Sequence, residues 1–261
     1  MNIIEAIKER RSIRSYDGNG LSDVEITMLN NAIAEAYSPF RGEVKIELLR
    51  FGLKGDYKPS TYGVIKGATD YFLICYAADE DSVLAAGFMF EQVVLNAWMA
   101  GLGTCWIGGT FKGSTFERNL SLPDNVKLKA VSPVGTPGST RLLERVTHFV
   151  MGSQNRKPFD TLFFEGDFNH PLSPDSRFGE ALAMLRLAPS STNSQPWRAL
   201  VAGDTVHFYY LPKSYLSLLD CGIGLCHFSE TERFNGQKGD FFKASDYPAP
   251  PKGWLYLRSY R

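Results

Sequence analysis

The sequence is poor in cysteine and histidine and has no excess of charge of either sign. Its 261 residues include 4 Cys and 4 His, and 28 basic side chains balance 28 acidic ones. The cysteines form neither a C-x-x-C pair nor a Cys/His zinc spacing, so no zinc site is expected. A net charge of zero gives no reason to expect a nucleic-acid or membrane partner. With 44% hydrophobic and 21% charged residues, the composition is that of a soluble globular protein.

Each of the few cysteines lies in an apolar run, where a free thiol behaves as a small hydrophobic side chain. These residues are Cys75, Cys105, Cys221 and Cys226. A reducing compartment suits this pattern best. Acidic and basic side chains alternate within the first 14 residues, which is not the pattern of a signal peptide. We therefore expect a cytoplasmic protein.

A polar loop at residues 188–197, A-P-S-S-T-N-S-Q-P-W, separates an apolar helix from an apolar strand. Its hydroxyl and carboxamide side chains donate and accept hydrogen bonds without carrying charge. Such a set suits a flat, neutral heterocycle edged with carbonyls and ring nitrogens. An ordinary turn after a helix remains the alternative, because Pro, Ser and Asn are common in turns.

A basic cluster at residues 9–16, E-R-R-S-I-R-S-Y, lies far upstream. Residues 2–15 are predicted to be one helix, which would place Arg10 and Arg14 on the same face. Because a helix C-terminus repels anions, the guanidinium charges would have to supply the attraction for a phosphate. The alternative is a basic helix end that simply complements the helix dipole.

Together these two motifs resemble the nitroreductase family of flavin mononucleotide (FMN) enzymes, over most of residues 1–211. In that family an N-terminal R-R-S-x-R binds the FMN phosphate, and a P-S-S-x-N-x-Q-P-W loop from the partner subunit lines the flavin and ribityl chain. The resemblance implies a phosphate clamp and a flavin loop in this chain. The clamp comprises Arg10, Arg11, Ser12 and Arg14, and the loop residues are Pro189, Ser190, Ser191, Asn193 and Gln195.

Two further segments resemble parts of the family's FMN site. Residues 106–109, Trp106-Ile107-Gly108-Gly109, occupy the position where the family's backbone passes the flavin N5 edge, and a plain turn is the alternative. Missing side chains at two glycines would permit close backbone approach. Arg156 and Lys157 resemble a basic pair that returns to the phosphate, with a solvated basic turn as the alternative.

The resemblance implies an α+β fold, a three-layer α/β/α arrangement with mostly antiparallel central sheets. Residues 83–100 are apolar nearly all round, but three polar residues inside them favour a buried central helix over a membrane span. Residues 197–202 and 205–211 are predicted to form a hairpin. Residues 161–176 are predicted to be a linker or a surface arm, and Lys54–Ala68 a long loop.

The second half of the chain is predicted to repeat the first. Pro39 matches Pro189 at an offset of 150, and Gly87 matches Gly222 at an offset of 135. The predicted halves are residues 1–160 and 161–261. The first half has the clamp but a degenerate loop at 38–42, whereas the second half has the loop but no clamp. Complementary loss predicts a pseudo-dimeric monomer, or weak homodimer, with one FMN per chain.

The predicted activity is hydride transfer from NAD(P)H through FMN to a nitroaromatic, quinone or similar small acceptor. A non-catalytic FMN-binding sensor or store is the alternative. No Ser-His-Asp, Cys-His or paired-carboxylate set is evident, so no side chain is named as catalytic and no metal is expected. The four scattered histidines, at positions 148, 170, 207 and 227, are expected to be structural.

Overall fold

The computed structural model describes residues 1–51, 59–117, 120–138 and 155–261. Helices and strands alternate irregularly along these ranges. The helices are α1 (Ile3–Glu9), α2 (Asp23–Glu35), α3 (Glu80–Met99), α4 (Gly179–Leu187) and α5 (Ser217–Phe234). The strands of the first part are β1 (Val44–Arg50), β2 (Asp70–Tyr76), β3 (Gly103–Thr104) and β4 (Lys127–Gly135). Those of the second part are β5 (Phe163–Glu165), β6 (Asp167–Pro171), β7 (Trp197–Ala202), β8 (Thr205–Tyr210), β9 (Phe241–Phe242) and β10 (Leu255–Tyr260).

The strands form two sheets. Sheet one has the order β1-β2-β4-β3, and sheet two has the order β6-β5-β7-β8-β10-β9. All neighbouring strands are antiparallel except β5 and β7, which are parallel. The predicted α+β class with mostly antiparallel sheets is confirmed, as is the hairpin of β7 and β8.

Local signals set the starts of the first two helices. The Asn2 side chain accepts from the Glu5 backbone N–H and the Glu5 carboxylate accepts from Asn2, which is a capping box. Ser22 and Glu25 make the same reciprocal pair at the start of α2. Four N–H groups at a helix start lack intrahelical partners, and these side chains satisfy some of them.

The long apolar helix α3 lies at the centre of the molecule, between the sheets. Phe90 and Val94 on one side of it share a core with Phe72 of sheet one. Its other side packs against α5 and the core beneath sheet two. Among the described residues it is the one helix long and apolar enough to span a membrane, but 72% of that window is buried inside the protein. The prediction of a buried central helix is confirmed.

The helices α3 and α5 approach each other closely at two glycines. A Cβ atom at Gly87 would lie 2.4 Å from the carbonyl oxygen of Leu219, and one at Gly222 would lie 2.4 Å from that of Leu84. Only glycine permits backbones to approach this closely. Gly87 and Gly222 therefore allow α3 and α5 to pack in direct backbone contact.

Two predictions about local structure are wrong. The predicted helix over residues 2–15 ends at Glu9, and the chain is extended from there to Tyr16. The Ile13 N–H donates to the Thr104 carbonyl at 2.8 Å, so the backbone of this segment joins the edge of sheet one. Tertiary pairing thus overrides the helical pattern. Residues 161–176, predicted to be a linker or a surface arm, contain β5 and β6 of sheet two instead. The predicted Lys54–Ala68 loop lies partly outside the described residues.

Candidate functional site

The basic segment after α1 turns inward instead of continuing as a helix. The Arg10 side chain is 5% exposed, and its Nε lies 3.6 Å from the Oε1 atom of Glu91. Ser12 pairs with Thr104 at the edge of sheet one. Arg11 is exposed. Because the segment is extended, Arg10 and Arg14 do not share a helix face, and that part of the prediction is corrected.

The polar loop at residues 190–195 has a strained backbone. Thr192, Asn193 and Gln195 have φ values of 51°, 54° and 46°. Left-handed conformations are uncommon in residues other than glycine and cluster at functional sites. The Ser190 hydroxyl accepts from the Gln195 N–H at 3.0 Å, which helps to hold this conformation. A hydrogen bond within the loop thus helps to maintain these left-handed conformations.

A buried carboxylate at the first turn of α5 anchors this loop. The Ser191 N–H donates to both oxygens of Asp220, at 3.0 and 3.1 Å. Asp220 is 3% exposed. Burial raises its pKa to about 7, against the opposing effect of hydrogen bonds from Ser191 and Ser194. The sequence gives one signal for this residue, an acidic side chain near a helix N-terminus, but not its contact with the loop.

The basic pair at residues 156–157 connects the clamp to the loop. Arg156 Nη1 donates to the Asn193 side-chain oxygen at 3.0 Å. Burial, then the charges of Arg10 and Arg186, lower the Arg156 pKa to about 10. The Lys157 N–H donates to the Gln195 side-chain oxygen at 2.8 Å. Clamp, basic pair and loop, which are far apart in sequence, thus lie in one region.

Lys157 itself sits among other cations. Its Nζ donates to the Ser194 carbonyl at 2.6 Å. Burial lowers its pKa to about 8, and Lys213 and Arg198 contribute in the same direction. Three cationic side chains, Lys157, Lys213 and Arg198, thus lie near one another here.

The segment with Gly108 and Gly109 lies beside the start of α5. The Tyr215 hydroxyl donates to the Gly108 carbonyl at 3.0 Å. A Cβ at Gly109 would lie 2.8 Å from the same hydroxyl, and a Cβ at Gly108 would lie 2.8 Å from the Leu216 side chain. The absence of side chains at Gly108 and Gly109 thus allows this segment to lie against Tyr215 and Leu216, just before α5.

The structure gives several predicted site residues roles inside the protein. Gln195 is 2% exposed, and its amide nitrogen lies 3.3 Å from the Asn155 carbonyl and 3.2 Å from the Asn193 carbonyl. Its polar atoms thus order the loop, and its contact with a flavin edge stays a prediction. Ile107 is buried and pairs with Val131 of β4. Pro189 is half-buried at the start of the loop.

The sequence reasoning missed a buried network behind the clamp. Glu91 of α3 accepts from the Trp106 indole N–H at 2.7 Å and lies 3.0 Å from His227 Nε2. Both Glu91 and His227 are 0% exposed. The sequence signal for this network is Glu91 itself, an acidic residue on an otherwise apolar helix, because a buried charge needs partners.

The other histidines and the cysteines have structural settings where they are described. His207 Nδ1 lies 2.8 Å from the Ser259 hydroxyl, and His170 pairs with exposed Asp167. His148 lies outside the described residues. All four cysteines are free and buried, as predicted. Burial raises the pKa of the Cys105 thiol, although Arg14, Ser12 and Arg10 act against this.

Open clefts of the described surface lie elsewhere. One of about 320 Å³ is lined by Arg177 and Glu232, and one of about 650 Å³ runs along α2. None of the predicted site residues lines either cleft.

The family model described as "Putative TM nitroreductase" matches residues 2–231, which is most of the chain. The chain belongs to this nitroreductase family. The resemblance found in its motifs is thereby confirmed at the level of the family. Membership of a nitroreductase family supports an oxidoreductase in general.

Solved structures agree on the fold of this nitroreductase-family chain. A crystal structure from Thermotoga maritima, described as "a putative nitroreductase", is 21% identical, with a TM-score of 0.60. The match covers 100% of this chain and 92% of that one. At this identity it shows the fold alone.

Two further crystal structures match about half of the chain. A nitroreductase with bound FMN from Bacteroides fragilis is 16% identical, covering 54% of this chain and 91% of that one at a TM-score of 0.43. A nitroreductase family protein from Clostridium novyi is 19% identical, covering 54% and 87% at 0.42. No curated protein matches the chain.

Proposed function

We propose that this protein is an FMN-dependent NAD(P)H:acceptor oxidoreductase of nitroreductase type. One observation carries the proposal. The basic segment near Arg10 and the polar loop at residues 190–195 meet at Arg156. The Arg156 side chain donates a hydrogen bond to Asn193, and the charge of Arg10 is near enough to contribute to the lowered Arg156 pKa. Two motifs that resemble the two parts of an FMN site are thus neighbours in space.

The residues present fit a phosphate-bearing flavin. The Arg10 side chain is only 5% exposed, and its Nε has no hydrogen-bond partner among the described residues. Burial lowers the Arg156 pKa, and the nearby charges of Arg10 and Arg186 lower it further. A phosphate would relieve this repulsion, since guanidinium groups bind phosphate oxygens in bidentate pairs.

Roles for individual residues follow from this fit. Arg10, Arg14 and Ser12 would hold the phosphate, with Arg11 at the exposed edge and Arg156 and Lys157 behind. The Ser190, Ser191 and Asn193 part of the loop would face the flavin's polar edge and ribityl chain, beside Pro189. The backbone at Gly108 and Gly109 would approach N5, next to Trp106 and Ile107. Bound FMN would supply the hydride chemistry, and the protein would bind and orient it.

We further propose one FMN per chain in a pseudo-dimer of two fused halves, residues 1–160 and 161–261. The contact of Gly87 with the helix that carries Gly222 supports a twofold-like crossing of α3 and α5. In the first half, the segment equivalent to the flavin loop contributes Phe40 to the core. That ring packs edge-on against Phe88 and is 6% exposed. An aromatic core contact thus stands where a second flavin loop would be.

The reductant and the acceptor are assigned only by class. NAD(P)H would reduce the flavin, and a nitroaromatic, quinone or similar small molecule would reoxidise it. No side chain is assigned as a proton donor.

The test is reduction of the purified protein, loaded with FMN, by NADH and by NADPH without air. Bleaching of the flavin absorbance by either one, and its return on adding a nitroaromatic or a quinone, is expected. Bound flavin that stays oxidised would favour a non-catalytic FMN-binding protein instead. The same titration on free FMN gives the background rate.

A further inference from the structure

A buried polar network joins the two central helices directly behind the clamp. Glu91 on α3 has one oxygen, Oε2, facing the Trp106 indole N–H at 2.7 Å. Its other oxygen, Oε1, lies 3.0 Å from His227 Nε2 on α5 and 3.6 Å from Arg10 Nε. The carboxyl group therefore touches two residues of the candidate flavin site and one residue of the opposite half.

The hydrogen bonds of His227 fix how many protons the network holds. His227 Nδ1 lies 3.1 Å from the Met184 carbonyl oxygen, which can only accept, so Nδ1 carries a proton. Its Nε2 faces the Glu91 carboxyl group. A contact between an unprotonated Nε2 and a carboxylate would join two acceptors, so one additional proton must lie between them.

The position of that proton follows from the surroundings of Glu91. Arg10 brings a positive charge to the same oxygen that faces His227, and Trp106 donates to the other oxygen. Both contacts stabilise the ionised carboxylate. An anionic Glu91 paired with a doubly protonated His227 satisfies every contact in the network, and a charged pair that is fully buried is stable only with such partners.

We propose that Glu91 is the positioning residue of the candidate flavin site, held as a carboxylate by a protonated His227 and fixing Arg10 on one side and Trp106 on the other. The part of the proposal that concerns FMN rests on the proposed function. The part that concerns the proton does not. Through this network, α5 of the second half holds the phosphate clamp of the first half in place.

Glu91→Gln tests the role of the charge with little change in shape. In this variant the amide oxygen is expected to accept the hydrogen bond from the Trp106 indole N–H. The amide nitrogen then faces His227 and Arg10. The nitrogen can donate to a neutral His227, but it meets Arg10 donor to donor. The substitution is therefore expected to neutralise His227 and to release Arg10.

The first readout is the protonation state of His227 in the FMN-free protein, by long-range ¹H–¹⁵N NMR of the imidazole rings. His227→Gln assigns the signal by its loss. The unsubstituted protein at pH 7.5 is expected to show both ring nitrogens protonated, and Glu91→Gln a neutral ring with its proton on Nδ1. A neutral His227 in the unsubstituted protein would overturn the proposal.

The second readout is FMN affinity by fluorescence quenching. Glu91→Gln is expected to weaken binding by about tenfold to a hundredfold, as for a lost charge-assisted contact. Glu232→Gln is the matched control, because Glu232, on α5, is likewise a buried carboxylate paired with an arginine, with Arg177 at 2.8 Å. It is expected to leave both FMN affinity and the His227 signal unchanged.

The outcomes separate the two proposals. Equal FMN affinity in Glu91→Gln and Glu232→Gln would overturn the positioning role even if His227 changes state. Failure of the unsubstituted protein to bind FMN would reject the proposed function, and the positioning role with it, whereas the charge of His227 would still be decided by the NMR spectrum.

Discussion

Asp220→Asn is expected to change how the stability of the protein depends on pH. Asp220 holds the flavin loop through the Ser191 N–H and is 3% exposed. Its burial raises its pKa from 3.8 to about 7. The folded protein therefore binds a proton at this site over a range of pH in which the unfolded chain has released it.

The direction of the effect follows from this difference. Below about pH 4 Asp220 is largely protonated in both states, and its contribution to stability is fully present. As the pH rises toward 7 the unfolded chain gains the free energy of ionisation and the folded protein does not, so the contribution is lost. Above about pH 7 both states are ionised and the loss is constant. A difference of about three pKa units corresponds to about 4 kcal/mol at pH 8.

Urea unfolding of the two proteins at several pH values between 4 and 8 measures this effect. The free energy of unfolding of the unsubstituted protein, minus that of Asp220→Asn, should fall by about 4 kcal/mol across the range. A constant offset from the changed hydrogen bond does not affect that slope. Parallel pH profiles for the two proteins would refute the assignment of a buried, weakly acidic Asp220.

Three other variants test the site and the fold. Arg10→Ala with Arg14→Ala should abolish measurable FMN binding, at about 1.5–3 kcal/mol for each charged contact, whereas Arg177→Ala should not alter the flavin content. Asn193→Ala should weaken FMN binding in fluorescence titrations while the circular dichroism spectrum is kept, and an intact affinity would remove Asn193 from the site. Gly222→Ala should lower the free energy of unfolding in urea by about 1–3 kcal/mol, because its methyl group would meet the Leu84 carbonyl oxygen.

Patterns that depend on neighbouring residues could be predicted from the sequence. The capping boxes at Asn2 and Ser22 predict the starts of α1 and α2 because both partners lie three residues apart. The unbroken apolar run at residues 71–77 predicts a strand buried on both faces, and all seven residues of the observed strand β2, Asp70–Tyr76, are buried. The two turn residues Gly203 and Asp204 between β7 and β8 predict their hairpin.

Features that depend on distant partners could not be predicted in this way. The segment after Glu9 has a helical sequence pattern, but its backbone pairs with Thr104 and Lys66, which no local signal reveals. The contact of Asp220 with Ser191 joins residues that are 29 positions apart. The Glu91 contact with His227 spans 136 positions, so the sequence indicates a buried charge but not its partner.

The amide Gln195 illustrates the limit of a motif at the level of single residues. Its place in the loop suggests a flavin ligand, yet its side chain is buried and orders Lys157 and Asn193. A motif conveys which residues gather in one region, whereas the division between those that bind and those that support depends on side-chain direction.

The number of FMN molecules bound per chain tests the central claim most directly. Isothermal titration of the flavin-free protein with FMN measures this number together with the affinity. We predict one FMN per chain, held where the segment near Arg10 meets the loop at residues 190–195. Two per chain would contradict the loss of the second site, and no binding at saturating FMN would contradict the site itself.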